Sequence, residues 1–297
     1  MAEVVAAAPQ RVAARPRLRG TALLGTLPFF AYVTIFLIIP TLVVVIGAFA
    51  DDNGGATLDN IEALGNQYIL DAFGRSIALS AISALAGAVL GAVLAYALAT
   101  AAPNGLLRRA VTAAAGVLAQ FGGVTLAFAF LATIGLSGFV TVFLQDHGID
   151  IYSGGVWLFE LPGLTLVYTY FQIPLMVIVF LPALDGLRPQ WREAAESLGG
   201  TTWHYWTRVA GPLLGPAFLG SALLLFANAF SAYATAAALV SQGNPIVPLQ
   251  IRSALTSEVV LGQANVGKAM ALGMVIVVSV VMGLYTLLQR RTAKWLG

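Results

Sequence analysis

The chain has 297 residues, of which 59% are hydrophobic and 9% charged, with a formal net charge of +2, two histidines and no cysteine; its mean hydropathy is +0.87. A soluble domain carries about 25% charged residues, so a soluble enzyme, a nucleic-acid-binding domain and a secreted disulfide scaffold are all excluded. Without cysteine there is no thiolate nucleophile and no Cys-based metal or iron–sulfur site, and two histidines leave little for metal chemistry.

Residues 1–20, biased to Ala, Pro and Arg, predict a tail with too few apolar contacts to order itself. Six charge-free stretches dominate the rest of the chain: 20–50, 76–107, 110–145, 161–184, 209–251 and 269–289. Each reaches the length of about 20 residues that a helix needs to cross a hydrocarbon core of about 30 Å. They predict an all-α integral membrane protein with six transmembrane helices. The first stretch contains Pro28 and Pro40; it is about twice as long as the apolar part of a signal peptide and is read as a retained span. In the second, Gly87 and Gly91 form a small-xxx-small pattern among alanines, which lets helix backbones approach closely in lipid. The segments 51–75 and 137–160 are polar and hold Gly54-Gly55 and Asp146, His147, Gly154 and Gly155. A tail, 291–297, closes the chain.

The basic residues set the orientation. Twelve of the fifteen lie in the N-terminal tail (Arg11, Arg15, Arg17, Arg19), the second connection (Arg108, Arg109), the fourth (Arg188, Arg192, Arg208) and the C-terminal tail (Arg290, Arg291, Lys294). The odd-numbered connections take only Arg75, Arg252 and Lys268, with most of the acidic residues. By the positive-inside rule both termini are cytoplasmic.

The connection at 185–212 is patterned beyond what a tether needs. Pro189 suits a first helical turn, with Glu193 and Glu196 near its positive end. Gly199-Gly200 ends that helix, Thr201 or Thr202 caps a second, and Pro212 limits the second's continuation. Trp191, Ala194, Ala195 and Leu198 share one face, so a cytoplasmic loop presents apolar surface to a groove in another protein. Trp203 and Trp206 could equally rest at the membrane interface as aromatic belt residues.

Glu193, Ala194, Ala195, Gly199 and Pro212 stand at the spacing of the Glu-Ala-Ala signature of the permease subunits of binding-protein-dependent ABC importers, which this sequence resembles from about residue 70 to 290. Val209 replaces the family's Ile, and Gly211 stands where Leu is usual. The resemblance implies a type I ABC importer permease fold: a five-helix core at 70–290 behind an additional N-terminal span at 21–50. It implies that 185–212 is a coupling loop seated in an ATPase subunit, with Glu193 as polar anchor and Gly199 as corner. Implied partners are two copies of that ATPase, which would hold ATP and magnesium, a second permease subunit and an extracytoplasmic substrate-binding protein. No cofactor is expected in this chain, and the bacterial inner membrane is its implied location.

Polar residues within spans are costly unless partnered. Asn228, Ser231 and Tyr233, clustered in the fifth stretch, are the candidates for the substrate path, ahead of Gln120 and Gln172; hydrogen bonding between helices is the competing explanation. His147 and His204 lack companions at ligand spacing and read as surface residues. The run from Gly262 to Lys268 begins like a phosphate-binding loop, but Ala269 stands where Ser or Thr would hold magnesium. The segment 242–252 is similar to the Pro-Leu-x-Ile stretch of polyamine, opine and phosphonate permeases, which suggests a polyamine such as spermidine or putrescine, with sugar, phosphonate and iron as alternatives. An autonomous secondary carrier would need inverted repeats, broken helices or an intramembrane ionisable residue, and none is evident in the sequence.

Overall fold

In a computed structural model that describes residues 20–51, 53–240, 246–256 and 263–293, six helices are long and apolar enough to cross a membrane: Thr26–Ala48, Gln67–Thr100, Gly123–Asp146, Leu161–Asp185, Thr202–Ser231 and Ala264–Leu287. The chain divides into two units, 1–46 and 47–297. The tail residues 1–19 and 294–297 lie outside the described residues.

In the first unit α1 (Gly20–Val33) passes through a π turn (Thr34–Ile38) into α2 (Ile39–Ala48). Pro40 accounts for the π turn, since it has no N–H and its ring crowds the carbonyl one turn back. The ladder shifts register just before it, with Ile39 N–H donating to Thr34 O, and the Thr41 hydroxyl donates to Leu37 O at 2.7 Å.

Among the described residues of the second unit the regular structure is helical apart from an isolated bridge between Ala50 and Ala56. Asp51 folds the loop there by accepting from the amides of Asn53 and Gly55. A short helix α3 (Asp59–Glu62) leads to α4 (Gln67–Thr100), which Asn66 caps by accepting from Tyr68 N–H at 3.0 Å. One face of α4 is almost entirely small: Ala72, Ser76, Ser80, Ser83, Ala84, Gly87, Ala88, Gly91 and Ala95 are buried. This face lies against α8 (Leu161–Asp185) so closely that a Cβ on Gly87 would stand 2.5 Å from Gln172 Cβ, and one on Gly91 2.5 Å from Met176 Cβ. Gln172 is fully buried at this seam. With its amide in the orientation that satisfies both ends, it donates to Leu225 O at 2.9 Å and accepts from Ser83 Oγ at 3.1 Å. It ties α8 to α4 and α11.

Two of the charge-free stretches are not single helices. The third splits into α5 (Leu106–Gln120), α6 (Gly123–Ile134) and α7 (Phe139–Asp146). Gly123 has φ +68°, in the left-handed region that favours glycine, and Gly122 before it is extended. The fifth stretch leaves α11 (Gly211–Ser231) at an extended Ala232, resumes as α12 (Ala234–Leu239) and returns as α13 (Val247–Thr256). Buried irregular backbone needs partners for its N–H and C=O groups. Tyr168 OH donates to Ala232 O at 2.7 Å and Thr235 Oγ1 to Gly123 O at 3.2 Å, so each break is held by a hydroxyl from a neighbouring element.

The last helix, α14 (Gln263–Ala293), contains Lys268, whose ammonium donates to Asn265 Oδ1 at 2.9 Å. Arg75, Arg252 and Lys268, expected in outer connections, thus lie inside α4, α13 and α14. The helices extend beyond the apolar stretches because long basic side chains can reach out from a helix end with their stems still on apolar surface.

Candidate functional site

The patterned connection forms α9 (Pro189–Ser197), a corner, and α10 (Thr202–Tyr205). Pro189 occupies the first turn as expected. Glu193 sits a turn further in, and Glu196 pairs with Arg192 at 2.9 Å, so neither acts on the helix start. This pairing raises the Arg192 pKa above its ordinary value, by the Glu196 hydrogen bond and then its charge. At the corner Gly199 has φ +77°. Gly200 N–H donates to Ala195 O at 2.8 Å and Gly199 N–H to Glu196 O at 2.9 Å, the crossed pair that closes a helix on a left-handed glycine. Thr201 is the cap of α10: its hydroxyl accepts from His204 N–H while its own N–H donates to His204 Nδ1.

Pro212 does not stop the second helix. A π turn (Trp206–Ala210) carries α10 into α11, so the connection and the fifth span are continuous. The widened turn accommodates Pro212 as the one before Pro40 does. Gly211 N–H donates to Trp206 O, as Ile39 N–H does to Thr34 O in the first π turn.

Trp191, Ala194, Ala195, Leu198, His204 and Arg208 line an open groove of about 690 Å³. Leu198 is 89% exposed and Trp203 74%, so the loop does not fold its apolar face back onto its own bundle. Glu193 and Pro212 are exposed. Trp206 packs edge-on against Tyr96 of α4, 5.3 Å between ring centroids, and belongs to the bundle. At the start of the loop Asp185 pairs with Arg108 of α5.

On the other side of the Gln172 seam the two helix breaks meet in a cleft of about 210 Å³, lined by residues that include Gly122, Gly123, Phe171, Asn228 and Tyr233. The structure therefore brings together two of the three path candidates. Ser231 is not in the lining, and its hydroxyl is spent on Ala227 O and Asn228 O in its own helix. Gln120 ends α5 next to the break and is exposed. The Arg252 guanidinium carbon lies 5.8 Å from the Tyr233 ring centroid. The signal available for the break was Gly122-Gly123 in the middle of an apolar stretch. His147 lies away from both places, its Nδ1 at 2.7 Å from Phe143 O. Gly262 and the stretch 241–245 lie outside the described residues.

No family model matches the chain. Over 111 residues it is 31% identical to the sulfate transport system permease protein CysT of Escherichia coli, covering 37% of this chain and 36% of that one. Over 198 residues it is 27% identical to the ferric transport system permease protein FbpB of Actinobacillus pleuropneumoniae, covering 64% of this chain and 27% of that one. These matches span well under half of the relatives' own lengths. Among solved structures, a bacterial ABC transporter involved in import of the acidic polysaccharide alginate superposes with a TM-score of 0.74 at 19% identity, covering 92% of this chain and 96% of that one. A complex of an alginate ABC transporter with a pentasaccharide-bound periplasmic protein gives 0.71 at 18% identity, covering 92% and 94%. The chain is a multi-pass inner-membrane protein with the fold of a type I ABC importer permease.

Proposed function

We propose that the chain is the membrane-spanning permease subunit of an ATP-driven importer, and that its α9–α10 loop docks into a separate ATPase. The observation that carries this is the exposed apolar groove on a rigid corner. Leu198 and Trp203 face solvent beside small residues at Ala194 and Ala195, while a crossed hydrogen-bond pair at Gly199 and a capping box at Thr201 hold the shape. A loop held this rigidly transmits force, and its continuity with α11 carries that force into the fifth span. Glu193, Ala194, Ala195, Gly199 and Pro212 are assigned to this coupling loop. Closure of two ATPase copies, which bind ATP and magnesium, would draw the loops of this chain and a second permease together. Alternating access then requires ligand and nucleotide to bind the two states differently. An extracytoplasmic binding protein would deliver the solute; the similar alginate ABC transporter is in complex with an alginate pentasaccharide-bound periplasmic protein. This chain itself carries no ATPase role.

The Pro248-Leu-x-Ile likeness suggests a polyamine. The cleft does not favour it, since no Asp or Glu is among its lining residues. The test of the importer reading is to purify the tagged chain from its native membrane in mild detergent and quantify the proteins that travel with it. An ATPase near one copy per permease, released when Gly199 is replaced by Val, is the expected outcome. A chain that purifies alone and transports in liposomes without ATP would replace this reading with a secondary carrier.

A further inference from the structure

A further cavity lies apart from both the loop groove and the cleft. It is a slot of about 410 Å³ where the cytoplasmic halves of three spans meet, walled by residues that include Tyr96 of α4, Phe180 and Leu184 of α8, and Trp206, Gly215 and Phe218 of the fifth span. Two edge-to-face aromatic pairs bound it, Tyr96–Trp206 at 5.3 Å and Phe180–Phe218 at 5.8 Å between ring centroids. Phe180 and Leu184 are buried on its inner wall, whereas Val93 beside Tyr96 is 64% exposed, so the slot opens outward from the bundle. No charged side chain lines it. The polar side-chain groups in its wall are the Tyr96 hydroxyl and the Trp206 Nε1–H, and neither has a hydrogen-bond partner among the described residues.

We infer that this slot holds one acyl chain of a phospholipid from the cytoplasmic leaflet, with the lipid's phosphate accepting from Trp206 Nε1–H and the Tyr96 hydroxyl. Depth is the first reason. Tyr96, Leu184 and Trp206 stand near the cytoplasmic ends of their spans, and Phe218 lies about 18 Å further along the same continuous helix as Trp206. Half of a hydrocarbon core is about 15 Å, so the slot ends where a leaflet ends. A neighbouring transmembrane helix would run the full core, and at about 10–12 Å across it is too wide to enter. Gly215 keeps the slot open: a Cβ there would meet nothing within 4 Å, so the glycine preserves space and not a contact between helices. Polarity is the second reason. The unpartnered donors sit at the cytoplasmic end, where Trp and Tyr place their rings in hydrocarbon and their N–H or O–H among the headgroups. Because Trp206 opens the π turn that joins α10 to α11, a lipid seated here bears on the joint between the loop and the fifth span.

The experiment uses the full chain in phosphatidylcholine liposomes doped with a phosphatidylcholine that carries a diazirine near the middle of one acyl chain. After illumination, adducts are mapped by peptide mass spectrometry. Labelling at Gly215 and Phe218 is expected to exceed that at Leu85, a residue of α4 that is 62% exposed and serves as the reference for ordinary lipid contact. Gly215→Leu fills the slot without a clash and should lower labelling at Phe218 about tenfold, with Leu85 labelling and the Tm in detergent unchanged. Trp206→Phe keeps a ring against Tyr96 but removes the N–H, and should lower it about threefold. Labelling at Phe218 no higher than at Leu85 would overturn the inference and leave the slot to a helix of another protein. Labelling indifferent to Gly215→Leu would overturn it as well. Should Gly215→Leu melt early, Trp206→Phe decides: labelling equal to wild type, or a diazirine-bearing fatty alcohol that labels the slot as strongly as the phospholipid, would overturn the seat assigned to the phosphate.

Discussion

The loop at α9–α10 and the cleft between the helix breaks are built in opposite ways. The loop is one contiguous segment whose shape comes from its own residues: a proline that starts α9, a left-handed glycine that ends it and a threonine that caps α10. The cleft takes Gly122–Gly123, Phe171, Asn228, Tyr233 and the nearby Arg252 from elements more than a hundred residues apart, and it exists only while the α4–α8–α11 bundle holds. A locally encoded surface should survive damage to the bundle that a globally assembled one does not. That difference is testable.

The largest effect is expected where the bundle is tightest. Gly91→Leu forces a side chain into a seam where even a Cβ would meet Met176 Cβ at 2.5 Å and Ile173 O at 2.7 Å. Overpacking costs typically about 1–3 kcal/mol, and a contact this close to backbone belongs at the upper end. Thermal unfolding in detergent should show a lowered Tm. A variant that melted with the wild type would refute the claim that the small face of α4 sets the helix spacing.

Gln172→Leu comes next. It removes the tie among Ser83, Leu225 and α8, leaving a buried hydroxyl and carbonyl short of partners at about 1–3 kcal/mol. Thermal unfolding should again show a lowered Tm. Groove function, read as ATPase retained on purification, should fall less.

Gly199→Val reverses the pattern. Nothing lies within 4 Å of a Cβ there, and the obstacle is the φ of +77°, which costs an ordinary L residue about 1–2 kcal/mol. Size is therefore not what the corner excludes. Coupled uptake should fall at least severalfold, and Gly199→Asn, whose residue tolerates this conformation, should keep most of it. Equal loss in both variants would mean that the groove, and not the backbone turn, selects glycine.

This contrast also governs how much of each region is legible in the sequence. The six spans and the loop can be read because each depends on neighbours in sequence: apolar length for a span, and Pro189, Gly199 and Thr201 for the corner. Pro212 misleads because a proline is expected to end a helix, whereas a π turn absorbs it. The breaks in the third and fifth charge-free stretches escape a sequence reading for a different reason. A charge-free stretch carries no mark of where its backbone turns aside, apart from the Gly122-Gly123 pair, and the hydroxyls that hold the breaks come from Tyr168 and Thr235 elsewhere in the chain. Arg252 goes unnoticed because its place over Tyr233 depends on α13 folding back.

The smallest effect tests whether the two regions are linked. Arg108, near the start of α5, pairs with Asp185 where α8 gives way to the loop, with the arginine side chain 14% exposed and the aspartate 42%. At its other end α5 supplies Ala119 to the cleft, so one helix of 15 residues touches both regions. A partly exposed pair of this kind contributes about 0–1 kcal/mol and weakens with salt. In a double-mutant cycle of Arg108→Ala and Asp185→Asn, the coupling energy should stay within that range and shrink as salt is raised. If α5 transmits motion, the same variants should lower uptake per ATP hydrolysed by more than their loss of stability accounts for, with the charge-exchanged pair Arg108→Asp and Asp185→Arg restoring part of it. Unchanged transport stoichiometry in all of them would leave the ion pair as a stabilising contact alone and the route between loop and cleft in the continuous α10–α11 helix.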